Sequence, residues 1–206
     1  MFPLQSAQLP GEMLPLRIFE PRYSRLVQDC LAAPEPVFGV VLISRGLEVG
    51  GGDVRSDIGA MARIGEHADL GDGQYELLAG VGERIRVRQW LLDDPYPRAI
   101  VEPWPDEPGP PVGPEQIGDL VDRILALYHR VADARGIRLR PDALAVDPET
   151  AEDACAHVYA LAARVPMGQA DRYAVLSAPT LAQRVDILTD AIETVTAMVE
   201  FQLSDE

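Results

Sequence analysis

Lysine and asparagine are absent from this chain, and all 18 of its basic residues are arginines. Without lysine, no residue here can serve as a P-loop lysine, a Schiff-base amine or the base of a Ser–Lys dyad. Cysteine is almost as scarce. Cys30 and Cys155 both fall on apolar helix-period faces, as core thiols do in a reducing, cytoplasmic compartment. The three histidines, His67, His129 and His157, have no second histidine or cysteine at ligand spacing, and H-E-x-x-H is missing. No metal and no other cofactor is therefore expected. Six serines are scattered through the chain, none of them in a G-x-S-x-G or other triad context. No apolar run reaches the roughly 18 residues of a membrane helix. The first residues carry no basic segment followed by an apolar one, so no signal peptide is expected.

What is present is ordinary for a globular protein: 47% apolar and 25% charged residues, over a length of 206 that suits one or two domains. The net charge of −15 argues against nucleic acid, which demands basic patches. The wealth of Ala, Gly, Pro and Arg points to a GC-rich, bacterial genome.

The chain is organised around a corner. The stretch from Met13 to Val27 starts as an apolar strand and turns abruptly into a helix, and Pro21 stands where a first helical turn tolerates proline. Glu20 is placed to accept from the orphan N–H groups of that helix. Tyr23, Leu26, Val27, Cys30 and Leu31 follow at i, i+3, i+4, i+7 and i+8, one face of a helix that fades near Pro34.

Around the corner lie short strands: Phe2–Leu4, an edge strand by its proline, then Val37–Ile43, Ile58–Ile64, Tyr75–Ala79, Arg84–Trp90 and a last one over Ala99–Trp104. Leu9–Glu12 and Gly71–Gly73 read as turns, Gly46–Asp53 as a glycine-rich connection and Gly80–Gly82 as a break. Half of the residues from Pro103 to Pro114 are proline, which marks a stiff linker. Beyond it the period changes to that of helices. Ile117, Leu120, Val121, Ile124, Leu125, Tyr128, Val131 and Ala132 make one stripe, stopped at Gly136. A second helix starts at Asp147-Pro148, runs through Ala151, Ala154, Cys155, Val158, Leu161 and Ala162, and ends at Pro166. A short one covers Asp171–Ser177, and Thr180-Leu181-Ala182-Gln183 has capping-box spacing before a long last helix. The division is therefore a β-rich part, 1–105, a linker, 106–114, and a helical bundle, 115–206.

Three features tempt a chemical reading. Gly50-Gly51-Gly52-Asp53 lacks the G-K-[ST] ending of a phosphate loop and precedes a strand. Asp93-Asp94 at a turn and Glu152-Asp153 in an exposed helical position read as solvated charge. Arg84, Arg86 and Arg88 share one face of a strand, either as an anion-binding strip or as a polar outer face.

The stretch LPGEMLPLRIFEPRYSRLV resembles the opening signature of the Lon amino-terminal, substrate-binding domain family. The resemblance continues in order through FGVVLI, IGAMARI, GERIRV and DPYPRAIVEPW, and returns in RVPM and DRYAVLSAPTLAQRVDIL. It implies an α+β fold with a PUA-like β pseudo-barrel carrying one helix, followed by a helical bundle. It also implies a non-enzymatic, cytoplasmic module of protein quality control that binds unfolded or damaged polypeptide, without the ATPase and protease parts of a Lon machine. A protease or other protein partner follows only as an extension of that likeness; no nucleic acid and no membrane are implied. Leu14, Leu16, Phe19, Arg22 and Tyr23, from the signature corner, are the candidate lining of an apolar groove, expected at the crevice between barrel and bundle. They read equally as core. The alternatives are a scaffold for one folded protein partner and a small hydrolase with an unrecognised site.

Overall fold

In the computed structural model, strands with one helix among them come first and helices follow. The model describes residues 1–46, 52–140, 142–146 and 148–204. The chain is mixed α+β and falls into two units, Met1–Pro105 and Asp106–Glu206. The glycine-rich connection after Gly46 and the expected cap at Asp147 lie largely outside the described residues.

The first unit is a six-stranded curled sheet: β1 (Phe2–Leu4), β2 (Met13–Ile18), β3 (Val37–Arg45), β4 (Val54–Gly71), β5 (Gln74–Trp90) and β6 (Ala99–Pro103). The strand order is β1-β3-β4-β5-β2, with β6 also on β5. Among the described residues, only the β1–β3 pair is parallel. β1 lies at an edge, where Pro3 leaves no ladder donor missing from the sheet interior. Helix α1 (Pro21–Ala32) buries Tyr23, Leu26 and Val27 against Phe2, Leu14, Ile18, Phe38, Ala79 and Val81. Each such burial stabilises by about 1.5–3 kcal/mol. Gly59 lets β3 and β4 close together, because a Cβ there would stand 2.1 Å from the Val40 carbonyl oxygen.

The structure departs from the sequence reading in several places. The strands expected over Tyr75–Ala79 and Arg84–Trp90 are one strand, β5. Its glycine segment stays in the ladder because Gly80 pairs with Met13 on one side and Arg63 on the other, and Val81 is core. Glu20 precedes α1 without a side-chain cap; its carboxylate instead accepts from Arg22 Nε at 3.0 Å. Arg84 is not on a solvated face but buried, and its guanidinium and that of Arg86 each lie 4.3 Å from the Trp104 ring. Asp93 is not loose solvated charge either: Arg55 grips both its oxygens at 2.9 and 2.6 Å, and those hydrogen bonds hold its carboxyl below the usual range.

The second unit holds α2 (Pro114–Ala134), α3 (Pro148–Glu152), α4 (Ala154–Ala162), α5 (Gln169–Ser177) and α6 (Leu181–Ser204). The single helix expected from Asp147 to Pro166 is broken into α3 and α4. Asp153 sits at the break, where its Oδ1 accepts from the N–H groups of Cys155 and Ala156 at 2.9 and 3.3 Å. A side chain that can bond the backbone locally competes with helix continuation, and at a helix start it wins. Thr180 caps α6 as its spacing predicts, its hydroxyl accepting from Gln183 N at 3.2 Å. Arg184, fully buried, ties this unit together. It donates to both carboxylate oxygens of Asp106 at 2.9 and 2.6 Å, to the Val175 carbonyl at 3.3 Å, and lies 4.2 Å from the Tyr159 ring. Among the described residues, no helix is long and apolar enough to cross a membrane.

Candidate functional site

β2 begins at a turn that the sequence specifies closely. Pro10 and Gly11 occupy the middle of Leu9–Glu12, with Gly11 at φ +89° and Glu12 N donating to Leu9 O at 3.2 Å. The Glu12 carboxylate closes the turn by accepting from Leu9 N at 2.7 Å. Gly11 N then donates to Val81 O, and Val81 N to Glu12 O, each at 2.8 Å. Two residues thus oppose one, a bulge that sets the register of everything downstream. From there Leu14 and Ile18 point into the core, while Met13, Pro15 and Arg17 are exposed.

An open groove of about 520 Å³ lies along this outer surface, lined by Pro15, Leu16, Arg17, residues 66–68 and residues 76–78. Register explains its composition. Pro15 stands opposite Leu78, which stands opposite Glu66; Arg17 stands opposite Glu76, which stands opposite Ala68. The lining mixes apolar Pro15, Leu16, Ala68, Leu77 and Leu78 with polar Arg17, Glu66, His67 and Glu76. Among the described residues, no hydrogen bond or ion pair occupies any of these four side chains. Unpaired charge of both signs around apolar surface is suited to holding a chain of mixed composition. Among the described residues, no serine or cysteine lines the groove.

The five residues expected at the site separate. Leu14 is a core residue paired with Ala79. Tyr23 is also core, 4% exposed and stacked on Phe2; burial pushes its hydroxyl up to about 12. Leu16 is half-buried and lines the groove. Phe19, just beyond β2, is 59% exposed. Arg22 is half-buried, held by Glu20 and lying 4.5 Å from the Tyr23 ring. The groove adds Pro15, Arg17, Glu66, His67, Glu76 and Leu78 to Leu16. Alternation along β2 carries the signal for Pro15 and Arg17; the β4 and β5 residues join them through pairings no local pattern announces.

The other chemical candidates resolve into packing. The Cys30 thiol donates to Val37 O at 3.3 Å, and burial raises its pKa. Burial pushes Cys155 up to about 11, against the pull of Arg184 beside it. Arg88 pairs with Glu102 at 2.6 Å. Among the described residues, no three His, Cys, Asp or Glu side chains come together as a metal site would require. In the second unit an apolar groove of about 270 Å³ is lined by Leu127, Val131, Ile137, Leu139, Pro166 and Val199 among others.

Known proteins resemble the chain in sequence and in fold. The family model described as the ATP-dependent protease La (LON) substrate-binding domain matches residues 1–194. A Lon N-terminal domain protein from Xanthomonas campestris is similar in structure, with a TM-score of 0.63 and 26% identity over 92% of this chain and 95% of that one. The N-terminal domain of the Mycobacterium avium complex Lon protease shares the fold at a TM-score of 0.58, with 15% identity over 92% and 94% of the two chains. Among curated proteins nothing matches.

Proposed function

Because the chain belongs to the substrate-binding domain family of ATP-dependent Lon proteases, we propose that it is a non-enzymatic module that binds unfolded or damaged polypeptide. The supporting observation is the exposed surface of β2: a groove lined by apolar Leu16, Leu77 and Leu78 and by charged Arg17, Glu66 and Glu76, with Met13 exposed at the start of the strand and Phe19 just beyond its end. Unfolded chains share exposed apolar side chains and free backbone, and a surface offering both binds them without a fixed motif. In this reading the first unit is a PUA-like pseudo-barrel that presents the groove, and the second is a helical bundle. Leu16, Phe19 and Arg22 contact substrate, while Leu14 and Tyr23 hold the surface in place from beneath. The protein works in the cytoplasm and hands polypeptide to a protease partner, since these residues carry neither ATPase nor protease chemistry of their own.

Fluorescence anisotropy tests this. A labelled, permanently unfolded protein is titrated with this chain, beside the same protein folded. Preference for the unfolded form, weakened by Phe19→Ala, is the expected result; no binding to either form overturns the reading. A second reading, one dedicated folded partner, draws on the apolar groove of the second unit. It predicts binding to neither probe and stoichiometric recovery of one native protein from the source organism.

A further inference from the structure

Resting on the polypeptide-binding reading, we propose that the bound polypeptide is captured as an added β-strand along the outer edge of β2. β2 lies at the end of the strand order and, among the described residues, pairs only with β5. Val81 N donates to Glu12 O, so the Glu12 carbonyl faces β5. Alternation then turns the backbone groups of Leu14, Leu16 and Ile18 toward β5, and those of Met13, Pro15 and Arg17 away from it. Pro15, which has no N–H, stands at an outward position, where the β2–β5 ladder loses nothing. Among the described residues, no backbone hydrogen bond engages the outward groups of these three residues. The edge thus offers the carbonyls of Met13, Pro15 and Arg17 and the N–H groups of Met13 and Arg17.

Only an extended backbone presents donors and acceptors at the matching spacing, and that is what names the occupant. The other edges are poorer templates. β1 has three residues, all buried, with a central proline. The β5–β6 register is broken between Val87 and Gln89, and β6 ends on Pro103. The β2–β5 register runs six residues without a shift, leaving the outer edge regular. Main-chain bonding is indifferent to side chains, so this mode selects conformation over sequence. A folded protein, with its strands already paired, offers nothing to add. Pro15 also biases the choice of partner. An added polypeptide leaves one of its carbonyls without a donor, opposite Pro15, whereas two copies joined through β2 leave one on each.

The test uses the intact chain and a short peptide of leucine alternating with serine, ended by arginines. The peptide is made in three forms: unmodified, and N-methylated at either alternate set of amides. Only one set can face β2. Methylation of that set is expected to weaken binding by about tenfold or more, and methylation of the other set to leave it unchanged. Hydrogen exchange read residue by residue is expected to show the Met13 and Arg17 amides slowed by a similar factor in the complex. Binding of all three peptides alike, with Met13 and Arg17 still exchanging freely, overturns strand addition and leaves the polypeptide-binding reading standing. Failure of the unmodified peptide and of unfolded protein to bind removes both. Protection of Met13 and Arg17 that depends on protein concentration, without peptide, assigns the edge to a second copy and overturns the proposal.

Discussion

Tyr23 stacks on Phe2 with ring centroids 4.2 Å apart and an interplanar angle of 28°. That contact joins helix α1 to the edge strand β1 and makes Tyr23 part of the core. Phe19, four residues earlier, makes no such commitment. Tyr23→Ala is therefore expected to lower stability by about 3–5 kcal/mol, the range for emptying an aromatic site in a core. Phe19→Ala should stay within about 0.5 kcal/mol of the parent, yet weaken binding of unfolded polypeptide. Urea denaturation beside anisotropy on the same two variants checks both. A destabilised Phe19→Ala would move that ring into the core and out of the site.

The Tyr23 hydroxyl carries a pH signature of its own. Burial pushes its pKa up to about 12 from the ordinary 10.0. Between these values the unfolded chain has released the proton and the folded chain still holds it, so stability falls as pH rises. The contribution is complete below pH 10 and lost through about pH 12, and a shift of this size corresponds to about 3 kcal/mol at most. Tyr23→Phe keeps the stack on Phe2 and removes the titration. The difference in unfolding free energy between parent and variant is expected to change across this window and stay flat from pH 7 to 9. A flat difference throughout would mean that water reaches the hydroxyl freely.

The strand-to-helix corner was legible because its signals are local. Pro21 marks the first helical turn, and Tyr23, Leu26 and Val27 repeat at helix spacing. Alternation along Met13–Ile18 also separates Leu14 and Ile18, which are core, from Met13, Pro15 and Arg17, which are surface. Reading the corner as one apolar group hides that division, and so Leu14 and Tyr23 joined the candidate lining. The rest of the groove is out of local reach. Glu66 and Leu78 meet Pro15 only through the β4–β5–β2 registers, and a bulge between Ile64 and Glu66 shifts which β4 residues face outward. Arg84 misleads for a different reason. An arginine row on a strand reads as solvated, but a guanidinium stacked on Trp104 is tolerated in a buried place.

The Arg184–Asp106 pair gives the second unit its largest single liability. Arg184 has no exposed surface, and Asp106 supplies both of its carboxylate contacts. Asp106→Ala leaves a buried guanidinium without its counter-ion, and about 3–5 kcal/mol of stability is expected to go with it. Arg184→Met with Asp106→Ala, which removes both charges, should recover part of that loss. The check is a double-mutant cycle by chemical denaturation. Simple additivity would show that the pair contributes little beyond its packing.

Asp153 offers the finest test of how this chain is punctuated, because its effect is confined to one helix end. Its carboxylate accepts from two N–H groups that α4 leaves unpaired. Asp153→Ala removes both bonds while restoring a residue that favours helix continuation, so two effects oppose one another. Loss of a cap costs about 1 kcal/mol, whereas the gain in helix propensity from Asp to Ala is no more than about 0.7 kcal/mol. The cap therefore wins, and a small net loss is expected. Asp153→Asn, which keeps an accepting oxygen, should stay near the parent, and Asp153→Gly should fall only a few tenths of a kcal/mol below it. Exchange rates of the Cys155 and Ala156 amides distinguish the causes. They rise in Asp153→Ala if the cap is what ends α3 and starts α4, and they fall if the two helices fuse into the single one that the sequence periodicity describes.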